Sequence, residues 1–128
     1  MFLLLGVLLH QPVFAATHWE ILKSLHPASS KPNTQIKELI SKPIEITGFT
    51  IVDEYHDGDT ADFLLAQKPG SCIHDPLPSP NLLIHVLLPK GKEIPNINGS
   101  KITIHGLLQM SNRSDSAYEL RADSVIQL

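Results

Sequence analysis

Two alternating runs in this chain carry a glycine in mid-run, and that constrains the fold more than any other feature. Ile44-Glu45-Ile46-Thr47 alternates apolar and polar residues, and Gly48-Phe49-Thr50-Ile51 continues the run with its phase shifted. Ile102-Thr103-Ile104-His105 alternates in the same way, with Ile102 and Ile104 inward, and runs into Gly106-Leu107-Leu108. A period of two marks a half-buried strand. A glycine inside one predicts a bulge or bend of the kind that a barrel corner needs. Residues 61–66 predict a further strand, and residues 117–122, followed by a short run to Leu128, predict another. Leu82 to Leu88 is apolar on nearly both faces, which predicts a central or covered strand.

Five such strands, two of them bent at glycine, predict a mainly β fold: a small five-stranded OB-like antiparallel barrel, with a small sandwich as the alternative. Short helices come before it. Trp19, Leu22 and Leu25 share one helical face, and the helix stops before Pro27. Asn33 or Thr34 can cap a second helix that buries Ile36, Leu39 and Ile40 and ends at Pro43. Both helices are too short to stand alone in water, so they must pack on something. The resulting plan is a signal peptide over 1–15, a helical segment over 16–42 and a barrel over 43–128.

Residues 1–16 read MFLLLGVLLHQPVFAA. An apolar run, a breaking Pro12 and small residues before the cut predict an exported protein cleaved near Ala15, with the periplasm as destination. The run is shorter than the roughly 20 apolar residues that a spanning helix needs. The charged segment usual after Met1 is missing. No cysteine stands at the cleavage point, so no lipid anchor is expected. The net charge of -3 argues against general nucleic-acid binding, which needs phosphate-neutralising Lys and Arg. The single cysteine excludes an intramolecular disulfide.

The chemistry concentrates in Lys68 to Asn81, where Pro69, Pro76, Pro78 and Pro80 fall within twelve residues. Alternating prolines fix an extended, stiff path that lacks backbone donors. Cys72 and His74 stand just before the densest part, two residues apart, a spacing that puts both on one face of an extended chain. Thiolate and imidazole together favour zinc or monovalent copper over magnesium or calcium. His56 and His85 are the further candidate metal ligands, with Asp57, Asp59 and Asp62 beside them. Two other readings stand next to the metal one. Cys72 can be a small buried hydrophobe with His74 locking the turn, or Cys72 can be a thiol nucleophile with His74 as its base. Asp53 to Asp59 is not an EF-hand loop, because Leu64 stands where its glutamate belongs. His18, His26 and His105 read as surface histidines, and no nucleophile elbow, phosphate loop, CxxC or HExxH occurs.

The segment Gly70-x-Cys72-Ile73-His74-x-Pro76-x-Pro78-x-Pro80-Asn81 resembles a bacterial exported family, the domain-of-unknown-function 3299 family. Ile44-x-Ile46-x-Gly48-Phe49, Phe63-Leu64-Leu65 and Trp19-x-x-Leu22 look like other parts of it. The resemblance implies a periplasmic or lipoprotein location in Gram-negative bacteria. It also implies association, in some members, with transporter components of metal homeostasis, and no established enzymatic activity. The leading expectation is therefore an exported binding or accessory module linked to zinc or copper and centred on Cys72 and His74. A transporter-interaction module without metal comes second, and a thiol-dependent enzyme third.

Overall fold

The computed structural model describes residues 17–26, 31–52, 60–69, 78–95 and 99–127. Helices α1 (His18–Lys23) and α2 (Thr34–Ile40) precede strands β1 (Ile44–Ile51), β2 (Asp62–Ala66), β3 (Leu83–Leu87), β4 (Lys101–Met110) and β5 (Tyr118–Gln127). A 3-10 turn, Pro80–Leu82, leads into β3. The strands close into a barrel in the order β1-β2-β3-β5-β4, compatible with an OB-like barrel. Four pairings are antiparallel, but β3 and β5 run parallel, Ile84 opposite Tyr118 through Leu87 opposite Arg121. The antiparallel expectation fails for that one pair. Alternation sets which face a residue takes but not the direction of its neighbour.

The two mid-strand glycines do different things. β1 keeps a single phase from end to end, with Ile44, Ile46, Gly48 and Thr50 buried and the residues between them more exposed. The phase shift expected at Gly48 is therefore absent. That glycine faces inward because there is no room for more. A Cβ on it would stand 2.6 Å from the Ala66 carbonyl oxygen, 2.8 Å from Leu65 Cγ and 3.0 Å from the Trp19 ring. A register shift occurs instead opposite Gly106, where β4 keeps its phase and β5 changes its own. His105 pairs with Ser124 and Gly106 with Ala122, so Asp123 is an extra residue on β5 without a partner. This bulge also explains why residues 117–128, expected as two runs, contain one continuous strand: the extra residue absorbs the change of phase.

Core packing is continuous from the helices into the barrel. Leu22, Ile36, Leu65, Ile84, Val86, Ile102, Ile104 and Leu120 are all fully enclosed. As expected, Leu83 to Val86 of β3 are buried on both faces. Each helix begins at a side-chain cap that satisfies an otherwise orphaned amide: Thr17 Oγ1 accepts from Glu20 N, and Asn33 Oδ1 accepts from Ile36 N at 2.9 Å. Asn33 also donates to Ser24 Oγ, joining the two helices.

Helix α1 closes the end of the barrel where β3 and β5 begin. The Trp19 indole donates to the Thr47 carbonyl at 2.7 Å, and the Tyr118 hydroxyl donates to the Leu22 carbonyl at 2.7 Å. Asn81 Nδ2 reaches the Lys23 and Leu25 carbonyls in longer bonds of 3.4 and 3.3 Å. Six residues cannot hold a helix together: Asn81 serves the Lys23 and Leu25 carbonyls, and Tyr118 adds a side-chain donor to a Leu22 carbonyl that also accepts from the Leu25 amide.

Tyr118 carries a testable consequence. Tyr118→Phe should lower stability by about 0.5–1.5 kcal/mol in urea unfolding, because one buried hydrogen bond is lost while the Leu25 amide still serves the Leu22 carbonyl. Burial pushes the Tyr118 phenol well above its ordinary value. A group whose folded-state pKa is raised keeps its full contribution below the unfolded pKa, about 10 for tyrosine. Stability should thus fall as the pH rises above that value, and the same substitution should flatten this alkaline limb.

Candidate functional site

Of the four candidate ligands, His85 alone falls within the described residues; Cys72, His74 and His56 lie outside them. His85 stands on β3 opposite Leu64 of β2 and Glu119 of β5. Its neighbours in the strand, Ile84 and Val86, point into the core cluster, so the imidazole is on the other face, yet it is only 6% exposed. His85 Nε2 lies 3.0 Å from Asp62 Oδ2, at the start of β2. The Asp62 side chain is 57% exposed, so the carboxylate is solvated while the ring it holds is enclosed.

That bond sets the tautomer. With Nε2–H donating to the carboxylate, a neutral ring presents its lone pair at Nδ1. His85 Nδ1 is buried and has no hydrogen-bond partner. A carboxylate on one ring nitrogen and a free lone pair on the other is the usual posture of a metal-ligating or proton-accepting histidine.

His85 Nδ1 has company. The other buried side-chain atoms without partners, among the described residues, are Gln67 Oε1, Asn81 Oδ1 and Ser116 Oγ. Gln67 follows β2, Asn81 sits in the turn before β3 and Ser116 shortly precedes β5. The Ala117 amide donates to the Pro80 carbonyl at 2.8 Å, which brings the last two stretches side by side. All three therefore belong to the same end of the barrel, where the proline-rich connection leaves β2 and returns to β3. Pro78, Ser79 and Pro80, at the returning end, are exposed.

A charged rim flanks the histidine. Arg113 grips Asp115 through two bonds of 3.0 and 3.2 Å and holds its carboxyl below the usual carboxylate range. Asp62 and Glu119 act on Arg113 through space, and His85 on Asp115, so the group shares one neighbourhood. Glu119 in turn accepts from Gln109. Sequence reasoning named Asp62 only as an auxiliary and missed Arg113, Asp115 and Glu119. They come together through the parallel β3–β5 pairing, which no local pattern announces. His105, expected at the surface, is exposed on β4 and bonds to Glu45 across the β1–β4 pair. Among the described residues no three His, Cys, Asp or Glu side chains form a metal-binding group. No helix there is long and apolar enough to cross a membrane.

A family model described as protein of unknown function (DUF3299) matches residues 14–127. The chain belongs to the DUF3299 family. That agrees with the resemblance drawn from its segments, although the Cys72-Ile73-His74 motif lies outside the described residues. A crystal structure of a DUF3299 family protein (PA4066) from Pseudomonas aeruginosa PAO1 is similar, with a TM-score of 0.60 and 23% identity. The match covers 91% of this chain and 85% of that one, and at such identity it speaks for the fold. No curated protein matches the chain. Within this DUF3299 chain, Trp19 and Leu22, read from the sequence as a family feature, are the residues that seat α1 on the barrel.

Proposed function

We propose that this DUF3299 protein is an exported metal-binding accessory module of the periplasm, freed of residues 1–15. In this reading Cys72 and His74 hold zinc or monovalent copper together with His85, the ligand anchored in the barrel. His56 is an additional ligand from the β1–β2 connection. The ion passes to or from a membrane transporter component. No catalytic step is assigned to the site.

The observation that carries the reading is the unpartnered, enclosed Nδ1 of His85, with Nε2 held by Asp62. A buried imidazole nitrogen with no partner carries a desolvation penalty that a metal would remove. The donor set fits the ions: a thiolate with two or three imidazoles suits zinc or monovalent copper, whereas oxygen-seeking cations would need carboxylates.

Metal titration of the reduced mature protein against a chromophoric chelator tests it. The protein should bind zinc or monovalent copper, and Cys72→Ala should abolish the tight component. Asp62→Asn, at a mostly exposed side chain, should weaken binding about 10–100-fold because the ring loses its orienting carboxylate. If Cys72→Ala binds both ions as tightly as the parent, the metal reading falls. Docking to a transporter through the exposed Pro78-Ser79-Pro80 stretch then becomes the leading account, and Pro78→Ala/Pro80→Ala should release a co-purifying partner. Export has its own readout: N-terminal sequencing of the periplasmic fraction should begin at Ala16.

A further inference from the structure

Helix α1 plugs the barrel where β3 and β5 begin; the opposite end is the one where both strands finish. A cavity of about 340 Å³ lies there, lined by Leu88, Ile94 and Val125 together with Lys92, Glu93 and Asp123. Small-ligand pockets span about 300–1,000 Å³ and favour barrel mouths, so this one suits a small guest. Among the described residues His85 does not line it, and the proposal does not rest on the metal reading.

Its walls are fixed in advance. Ile94 is 7% exposed and locked to Thr60 by reciprocal amide–carbonyl bonds, both 2.9 Å. Pro89 to Lys92 forms a tight turn closed by Lys92 N on the Pro89 carbonyl at 2.9 Å, with Gly91 at φ 84° in the position that requires a positive φ. That turn presents Lys92 and Glu93. Asp123 arrives by another route. It is the extra residue of the bulge opposite Gly106, and bulges at barrel rims redirect a side chain that regular pairing would place elsewhere. None of Lys92, Glu93 and Asp123 forms an ion pair among the described residues.

An apolar floor with unpaired charges of both signs at its rim selects for a guest built the same way. We propose that this mouth binds a small zwitterion with an aliphatic side chain, of the size of a free amino acid or a dipeptide. The aliphatic part rests on Leu88, Ile94 and Val125. The ammonium faces Asp123 and Glu93, and the carboxylate faces Lys92.

Heteronuclear NMR titration of the mature chain with L-leucine tests the proposal. Isoamylamine and 4-methylvalerate serve as controls, each lacking one of the two charges. Leucine should give saturable shifts at the amides of Leu88, Ile94 and Val125, and each control should bind at least about tenfold more weakly. Asp123→Asn and Lys92→Gln, both at exposed positions, should each weaken leucine binding several-fold. Asp123→Asn should leave 4-methylvalerate binding unchanged, and Lys92→Gln should leave isoamylamine binding unchanged. Absence of saturable shifts, shifts confined to the α1 end, or equal affinity for leucine and isoamylamine would each overturn it.

Discussion

Gly106→Ala should destabilise the barrel by about 3 kcal/mol or more, lowering the melting temperature by over about 12 °C. An added Cβ would stand 2.2 Å from the Arg121 carbonyl oxygen and 2.9 Å from Ala122 Cα. Both are backbone atoms of the neighbouring strand, so no side chain can turn aside to make room. Relief requires parting β4 from β5, along the most extensive pairing in the barrel, or moving the bulge. A slipped register would carry Asp123 out of the mouth, so leucine binding there should be lost even where the variant remains folded. A loss of less than about 1 kcal/mol would show that the bulge tolerates a side chain and that the glycine is not what sets it.

Trp19→Ala should cost about 3–5 kcal/mol, the range for emptying a buried aromatic site, as measured by urea unfolding. Trp19 is 6% exposed and holds α1 to β1 through its bond to the Thr47 carbonyl. Trp19→Phe keeps most of the apolar contact and loses that bond, so it should cost nearer 1–2 kcal/mol. The gap between the two variants separates packing from hydrogen bonding. Gly48→Ala adds a second check. Its new methyl would meet Trp19 at 3.0 Å but the Ala66 carbonyl at 2.6 Å, so removing the tryptophan should relieve only a small part of the damage. The double variant should therefore remain close to the sum of the singles, whereas full rescue would mean that the ring alone forces the glycine. A cost below about 1.5 kcal/mol for Trp19→Ala would show that α1 lies outside the cooperative unit.

Much of the fold was legible in the chain because its signals are local. Period-two alternation marks strands wherever one face is buried, and the threefold spacing of Trp19, Leu22 and Leu25 marked the face that α1 buries. Both-face burial of β3 followed from its unbroken apolar run. The bulge was half legible: a mid-strand glycine announced one at Gly106, yet the same signal at Gly48 meant a close approach of the Ala66 carbonyl and the Leu65 side chain, with the Trp19 ring next. Nothing within β1 distinguishes the two cases, because the crowding atoms come from β2 and α1.

The candidate site divides along the same line. The Cys72–His74 pair and its stiff proline neighbourhood are properties of adjacent residues, so spacing and the restricted dihedrals of proline were enough to single them out. His85 was named and Asp62 was placed beside it only as an auxiliary; their pairing was not legible, since Asp62 meets the ring only through the β2–β3 register, 23 residues away. Arg113 and Asp115 join that neighbourhood through the parallel β3–β5 pairing, and the Tyr118–Leu22 bond that seals the plugged end joins residues 96 apart. Side-chain periodicity and proline stiffness act within a few bonds, so the chain alone determines its strands, its helices and its suspect loop. Which strand lies beside which, and therefore which charges meet which histidine, is decided by the one packing of all five strands that buries every inward face together.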